Sequence, residues 1–144
     1  MKRINFFLLI IITATILISC GKEPTPIPKA SVTTAGNISL TTHQMGSFWN
    51  GKREYSTRLI LKDKEADVVP ANSQIKITYD IPPKENTLDI ILWPEQYTGT
   101  AFEKVKLENN SFTVPADKGL YIYSFRAQWA GGDEIEYGLK IQVE

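Results

Sequence analysis

The chain has 144 residues, 42% of them hydrophobic, and its 16 basic residues balance its 16 acidic ones. This composition fits a single globular domain and excludes a disordered chain, and the lack of a basic excess argues against nucleic acid as a partner. Cys20 is the one cysteine and His43 the one histidine, so an intrachain disulfide is excluded and a Cys/His zinc site is out of reach. We predict no metal and no cofactor.

The N-terminus is typical of an exported protein. A positive pair, Lys2-Arg3, precedes an apolar stretch over residues 4–18. That stretch is short for a transmembrane helix of about 20 residues but suits a secretory signal. It ends in Leu17-Ile18-Ser19-Cys20, which resembles the bacterial lipobox, where an aliphatic and a small residue precede a cysteine. An uncleaved anchor with a chance cysteine is the competing interpretation.

The lipobox resemblance implies that residues 1–19 are a signal peptide and that Cys20 becomes the acylated N-terminus. Cleavage would remove two basic residues and no acid, leaving 125 residues with 14 basic and 16 acidic side chains, a formal charge of −2. Two or more acyl chains hold a protein stably on a bilayer. We therefore expect a lipid-anchored protein on the extracytoplasmic face of the cell membrane.

Residues 20–31 are expected to form a tether between the lipid and the domain. Pro24, Pro26 and Pro28 favour an extended, polyproline-like chain without a packed core. The folded domain is then predicted over residues 32–144.

Apolar residues alternate with polar ones along most of this domain, which predicts β-strands with one buried face. The clearest strands lie at 74–80, 88–93, 111–114, 119–128 and 134–143, with a short run at 105–107 and weaker candidates at 38–42, 57–62 and 67–70. Asn109-Asn110 and Gly131-Gly132-Asp133 are expected to form tight turns, because Asn and Gly tolerate positive φ. Seven to nine short antiparallel strands in a domain of this size predict an all-β sandwich.

The segment Asp117-Lys118-Gly119-Leu120-Tyr121 resembles the entry to strand F of immunoglobulin-like domains. The resemblance implies that Tyr121 is a corner tyrosine whose hydroxyl bonds back across the E–F corner. It also implies strands B, C, E, F and G at the five clearest segments, and places Tyr123 where antibody domains have their second disulfide cysteine.

Two motifs together resemble small lipoproteins of unknown function from Bacillus-type bacteria. They are Gly46-Ser47-Phe48-Trp49-Asn50 and the C-terminal hairpin from Gly119 to Ile141, although Trp49 here follows Phe48 directly. The resemblance implies the location and the immunoglobulin-like fold and adds no mechanism.

Candidate functional residues are few. Trp49, Trp93 and Trp129 lie at strand ends or in loops, where exposed indoles could stack on sugars or anchor a protein partner, unless they belong to the core. His43 lies in a polar stretch and is expected to be exposed, and no catalytic residue is predicted. The leading hypothesis is a non-catalytic module that binds an envelope protein or polysaccharide, or has a structural role.

Two alternatives stay open. A carbohydrate- or cell-wall-binding module would use the three tryptophans. An envelope enzyme would need a pocket that pairs His43 with a carboxylate, and an enzyme inhibitor would need a rigid exposed loop such as 94–102.

Overall fold

The computed structural model describes residues 25–56, 58–93 and 102–144. These residues form eleven β-strands and two short 3₁₀ helices. The strands are β1 Ala30–Thr34, β2 Ser39–Leu40, β3 Thr42–Trp49, β4 Lys52–Tyr55, β5 Asp67–Val69, β6 Gln74–Tyr79, β7 Asp89–Trp93, β8 Glu103–Val105, β9 Ser111–Thr113, β10 Gly119–Gln128 and β11 Glu134–Val143. The 3₁₀ helices are Arg58–Leu61 and Ala130–Gly132.

The strands form two sheets. The smaller sheet has the order β2-β1-β6-β9, and the larger has the order β4-β3-β11-β10-β7-β8. β5 joins the larger sheet by pairing in parallel with the end of β11, beyond the stretch that pairs with β3. Strands β11, β10, β7 and β8 follow the G-F-C-C′ order of immunoglobulin-like domains, with β6 and β9 as strands B and E in the opposite sheet. The predicted immunoglobulin-like sandwich is confirmed.

The core lies between the two sheets. Strand β11 shows why the sequence forms it: Ile135, Tyr137, Leu139, Ile141 and Val143 are all buried on one face, while the residues between them, apart from Gly138, are partly exposed. The odd-numbered residues of β10 from Tyr123 onward are buried on the same side. Removing this apolar surface from water is the main stabilising contribution to the sandwich.

The E–F corner has the geometry that the sequence motif implies. Tyr121 Oη donates a hydrogen bond to the carbonyl oxygen of Asp117 at 3.0 Å. Tyr123 is 1% exposed, and its ring lies 4.9 Å from that of Phe112 in the opposite sheet. Aromatic packing thus bridges the sheets at the position where antibody domains have a disulfide cysteine.

The N-terminal part of the domain departs from the sequence prediction. Eleven strands are present in the described residues, not seven to nine, and one pairing is parallel. The strand predicted at 57–62 is wrong: from residue 58 to residue 61 the chain is a 3₁₀ helix, followed by a turn. Strands β1, β3 and β4 escaped prediction. In β3 the pairing with β11 skips Met45, and this bulge breaks the alternation.

A second apolar cluster explains the 3₁₀ helix. Met45, Leu61 and Ile122 are buried together on the outer face of the larger sheet, and Trp93 packs against them. The Lys140 ammonium donates to three carbonyl oxygens at and just after the end of the helix, those of Leu61, Lys62 and Lys64, at 3.2, 3.0 and 2.7 Å. These bonds satisfy the carbonyls at the helix end, so a turn forms where the run of apolar residues suggested a strand.

Candidate functional site

Two of the three tryptophans belong to the core. Trp49 and Trp129 are 8% and 7% exposed, and their rings meet edge to face with centroids 5.6 Å apart. Each indole N–H donates to a backbone carbonyl: Trp49 to Thr25 at 2.8 Å, and Trp129 to Ile81 at 3.1 Å. Both indoles are thus satisfied inside the domain and present no flat face to a ligand.

Trp93 lies on the other face of the larger sheet. It is partly buried against the second cluster, its Nε1 donates to Ser124 Oγ at 2.9 Å, and its ring centroid is 5.5 Å from that of Phe102. Of the two possibilities that the sequence left open, Trp49 and Trp129 follow the core alternative, and the three tryptophans do not form a shared ligand surface. Two indoles fill the space between the sheets, and the third packs on the outside.

The N-terminal segment is held against the domain at the end where Trp49 and Trp129 lie. The Thr25 carbonyl accepts from Trp49 Nε1 and also from Asn50 Nδ2 at 3.0 Å. The carbonyl of buried Pro28 accepts from Tyr137 Oη at 2.6 Å, and Lys29 N–H donates to Asp80 Oδ1 at 2.8 Å. We call residues 25–29 with these contacts the N-terminal clamp. The expected tether therefore ends at the clamp, and β1 begins at Ala30 rather than after residue 31.

The clamp suits a proline-rich segment. Pro26 and Pro28 have no N–H, so this backbone offers mainly carbonyl oxygens. Three side chains of the domain donate hydrogen bonds to these carbonyls: the Trp49 indole, the Asn50 amide and the Tyr137 hydroxyl. Ile27 also packs against the core, and a cleft of about 360 Å³ lies between the segment and the β3–β4 hairpin.

Two tyrosines beneath the clamp differ in hydrogen bonding. Tyr137 Oη donates to Pro28, whereas the buried Oη of Tyr79 has no partner among the described residues. Burial raises the pKa of both phenols, because ionisation would place a charge among aromatic rings. The ring of Tyr79 lies edge-on to Trp129, with centroids 5.1 Å apart.

We expect Tyr137→Phe and Tyr79→Phe to have opposite effects on the free energy of unfolding. The first leaves the buried carbonyl of Pro28 without its donor and should cost about 1 to 3 kcal/mol. The second removes a hydroxyl that is buried without a protein partner and should be neutral or stabilising. Denaturant unfolding of both variants, which lose the same single atom, measures the difference. An equal loss in both would contradict this account of the clamp.

The outer face of β3, β4 and β11 carries the most exposed aromatic side chain of the described residues. Tyr55 is 79% exposed, and the Arg53 guanidinium lies over the rings of Phe48 and Tyr55, at 5.3 and 5.4 Å from their centroids. Arg53 Nη1 also donates to Tyr55 Oη. Cation–π contacts with two rings hold this arginine in place.

A shallow cleft of about 130 Å³ adjoins this stack. Gly46 lies in it, and Glu134 and Glu136 line the side opposite the stack. Gln128 Nε2 donates a hydrogen bond to Glu134 Oε2 at 3.0 Å, and Arg126 Nη1 lies 3.6 Å from Glu134 Oε1. We call Phe48, Arg53, Tyr55, Glu134 and Glu136 the Arg53 patch. Sequence reasoning missed it, although the type I′ turn signal Asn50-Gly51, with φ of 50° and 73°, could have revealed the hairpin that builds it.

His43 lies in β3 opposite Gly138 and is partly buried, not fully exposed as expected. Its pKa is lowered, mainly by burial and then by Lys64, with Asp67 acting in the opposite direction. Within residues 25–56, 58–93 and 102–144, no group of three His, Cys, Asp or Glu side chains is placed to hold a metal ion.

Other predicted features lie outside the described residues. They include the signal peptide, Cys20 and almost all of the loop considered for an inhibitor, residues 94–101. Among the helices that the structure describes, none is long and apolar enough to cross a bilayer.

The fold defines the chain as an immunoglobulin-like β-sandwich with the N-terminal clamp and an exposed Arg53 patch. No protein family, curated protein or solved structure matches it.

Proposed function

We propose that this protein is a lipid-anchored, extracytoplasmic binding module of the cell envelope, attached to the membrane through Cys20 and non-catalytic. The observation that carries the proposal is the sequence Leu17-Ile18-Ser19-Cys20 at the end of an apolar stretch, with Cys20 five positions before Thr25, the first described residue. The resemblance to small Bacillus-type lipoproteins agrees with this location.

The Arg53 patch is the proposed binding face. Tyr and Arg are enriched where protein–protein interfaces gain most of their binding energy, and a pre-positioned arginine loses little side-chain freedom on binding. Carboxylates beside it provide a polar rim. This chemistry favours an envelope protein as the partner over a polysaccharide, since the tryptophans that would have stacked on sugars are packed elsewhere.

Replacing Cys20 tests the anchor. We expect Cys20→Ser in the native host to abolish incorporation of labelled palmitate and to release the protein from the membrane fraction. Ser19→Ala is the matched control, because it keeps a small residue before the cleavage site and should leave labelling and fractionation unchanged. Undiminished labelling of Cys20→Ser, or an intact unmodified N-terminal peptide by mass spectrometry, would refute the anchor.

Site-specific photocrosslinking tests the binding face. A photoreactive phenylalanine analogue at position 55 in living cells should yield a discrete protein adduct, which Arg53→Ala should diminish. The same analogue at Phe102, which is 58% exposed just before β8 of the same sheet, is the matched control and should not yield that adduct. An adduct that muramidase digestion releases would favour a wall polysaccharide, and equal adducts at both positions would contradict the Arg53 patch as the binding face.

A further inference from the structure

We infer that the N-terminal clamp orients the domain on the bilayer, so that the end of the sandwich where the clamp lies faces the lipid headgroups and the opposite end points away. This inference rests on the proposed acylation of Cys20. The headgroup-facing end consists of the turns at 50–51, 81–87 and 129–133, and the distal end includes the E–F corner at 115–118.

The contacts show that these turns lie at one end. Asn50, in the β3–β4 turn, donates through its amide to Thr25 and through its backbone N–H to Asp133 Oδ1 at 3.0 Å. Trp129 donates to Ile81, and Lys84 N–H donates to the carbonyl of Gln128 at 2.7 Å. The segment that leads to the lipid therefore enters the domain at the end where all three turns meet.

The number of residues between Cys20 and Thr25 limits how far the domain can lie from the bilayer. Four residues, 21–24, separate Cys20 from Thr25, and we call them the leader. A fully extended chain covers at most about 18 Å over the five residue steps from Cys20 to Thr25. Strand β10 has ten residues, so the sandwich is about 30 Å long in the strand direction. A leader shorter than the domain, attached at one end, keeps that end next to the bilayer.

The clamp limits the reach of the tether because it fixes residues 25–29 to the domain. If residues 25–29 were free, five more residues would roughly double the reach of the tether. The clamp joins them to β3, to β11 through Tyr137, and to the end of β6 through Asp80. The turns at this end are rich in small or uncharged residues, including Asn50, Gly51, Gly131 and Gly132, which tolerate close approach to a headgroup surface.

Two labelled variants of the full acylated protein test the orientation. Lys84→Cys places a thiol at the headgroup-facing end and Lys118→Cys at the distal end; both lysines are exposed, and the chain has no other free thiol once Cys20 is acylated. Each is labelled with the same donor dye and reconstituted in phosphatidylethanolamine–phosphatidylglycerol vesicles with an acceptor dye on the headgroups. We expect about twofold higher energy transfer from position 84, given the separation of about 30 Å along the strands.

Two further variants test whether the short leader causes the difference in energy transfer between positions 84 and 118. Inserting 20 Gly/Ser residues after Pro24, which adds a flexible span of about 25 Å, should make the two transfer efficiencies equal. The double variant Asn50→Ala/Tyr137→Phe removes two hydrogen bonds of the clamp. It should reduce the difference in energy transfer between the two positions, provided that circular dichroism shows a folded domain.

Equal transfer from both positions in the parent protein would overturn the orientation, and a difference that survives the linker insertion would refute the short, clamped attachment as its cause. Mass spectrometry of the same samples separates this failure from failure of the anchor. An acylated Cys20 with equal transfer refutes only the orientation, whereas an unmodified Cys20 refutes the proposed function.

Discussion

Trp129→Ala is expected to lower the free energy of unfolding by about 3 to 5 kcal/mol, the range for removing a large aromatic side chain from a core. Trp129 is 7% exposed and packs edge-on against both Trp49 and Tyr79. Its loss would leave a cavity at the clamped end of the sandwich and the Ile81 carbonyl without its indole donor. Such a loss is a large part of the stability of a typical domain.

Trp93→Ala is the matched control for this prediction. It removes the same side chain from the outer face, where the indole is only partly buried, so the loss should be clearly smaller. Urea unfolding of the two variants and the parent gives the comparison. If Trp129→Ala left the stability unchanged and altered only binding to an envelope component, the assignment of Trp129 to the core would be wrong.

Gly138→Ala is expected to cost about 1 to 3 kcal/mol through overpacking. The glycine lies in the middle of β11 beneath the 3₁₀ helix, and a Cβ there would come within 2.7 Å of Leu61 Cδ1 and closer still to Met45 Sδ. Leu61 and Met45 are 0% and 3% exposed, so neither can move without disturbing the second cluster. The cost comes from steric overlap and not from backbone strain, because Gly138 does not have positive φ.

Gly36→Ala provides the control, since the nearest atom to a Cβ there is Thr34 Oγ1 at an ordinary 3.7 Å. Thermal and denaturant unfolding should show little change for Gly36→Ala and a clear loss for Gly138→Ala. Adding Met45→Ala to Gly138→Ala should cost less than the sum of the two single changes, because the truncated side chain makes room for the new methyl group. Strict additivity would argue against the steric explanation.

Local patterns were sufficient to predict the C-terminal half of the fold. The period of two in β6, β7, β10 and β11 gave their positions to within a residue or two, because alternation reports directly which residues can share a buried face. The Asn109-Asn110 turn is confirmed by φ values of 50° and 59°, a local property of the asparagine side chain.

The same reasoning failed where local signals conflict with tertiary packing. The apolar run Leu59-Ile60-Leu61 suggested a strand, but only Leu61 is buried, and Lys140, far along the chain, secures the carbonyls of the turn after it. The exposed strand β4, Lys52–Tyr55, has no alternation to detect, since all four residues face solvent at the sheet edge.

The sequence by itself determined that this chain is an all-β domain with an immunoglobulin-like E–F corner, and it holds the motif on which the proposed anchor rests. Only the tertiary structure decided that Trp49 and Trp129 are core residues and that residues 25–29 are bound to the domain. The reason is separation along the chain: Trp129 meets the Ile81 carbonyl 48 residues away, and Tyr137 meets that of Pro28 at a distance of 109 residues. Periodicity reports which face of a strand is buried, but contacts between such distant residues are set by how the two sheets pack together.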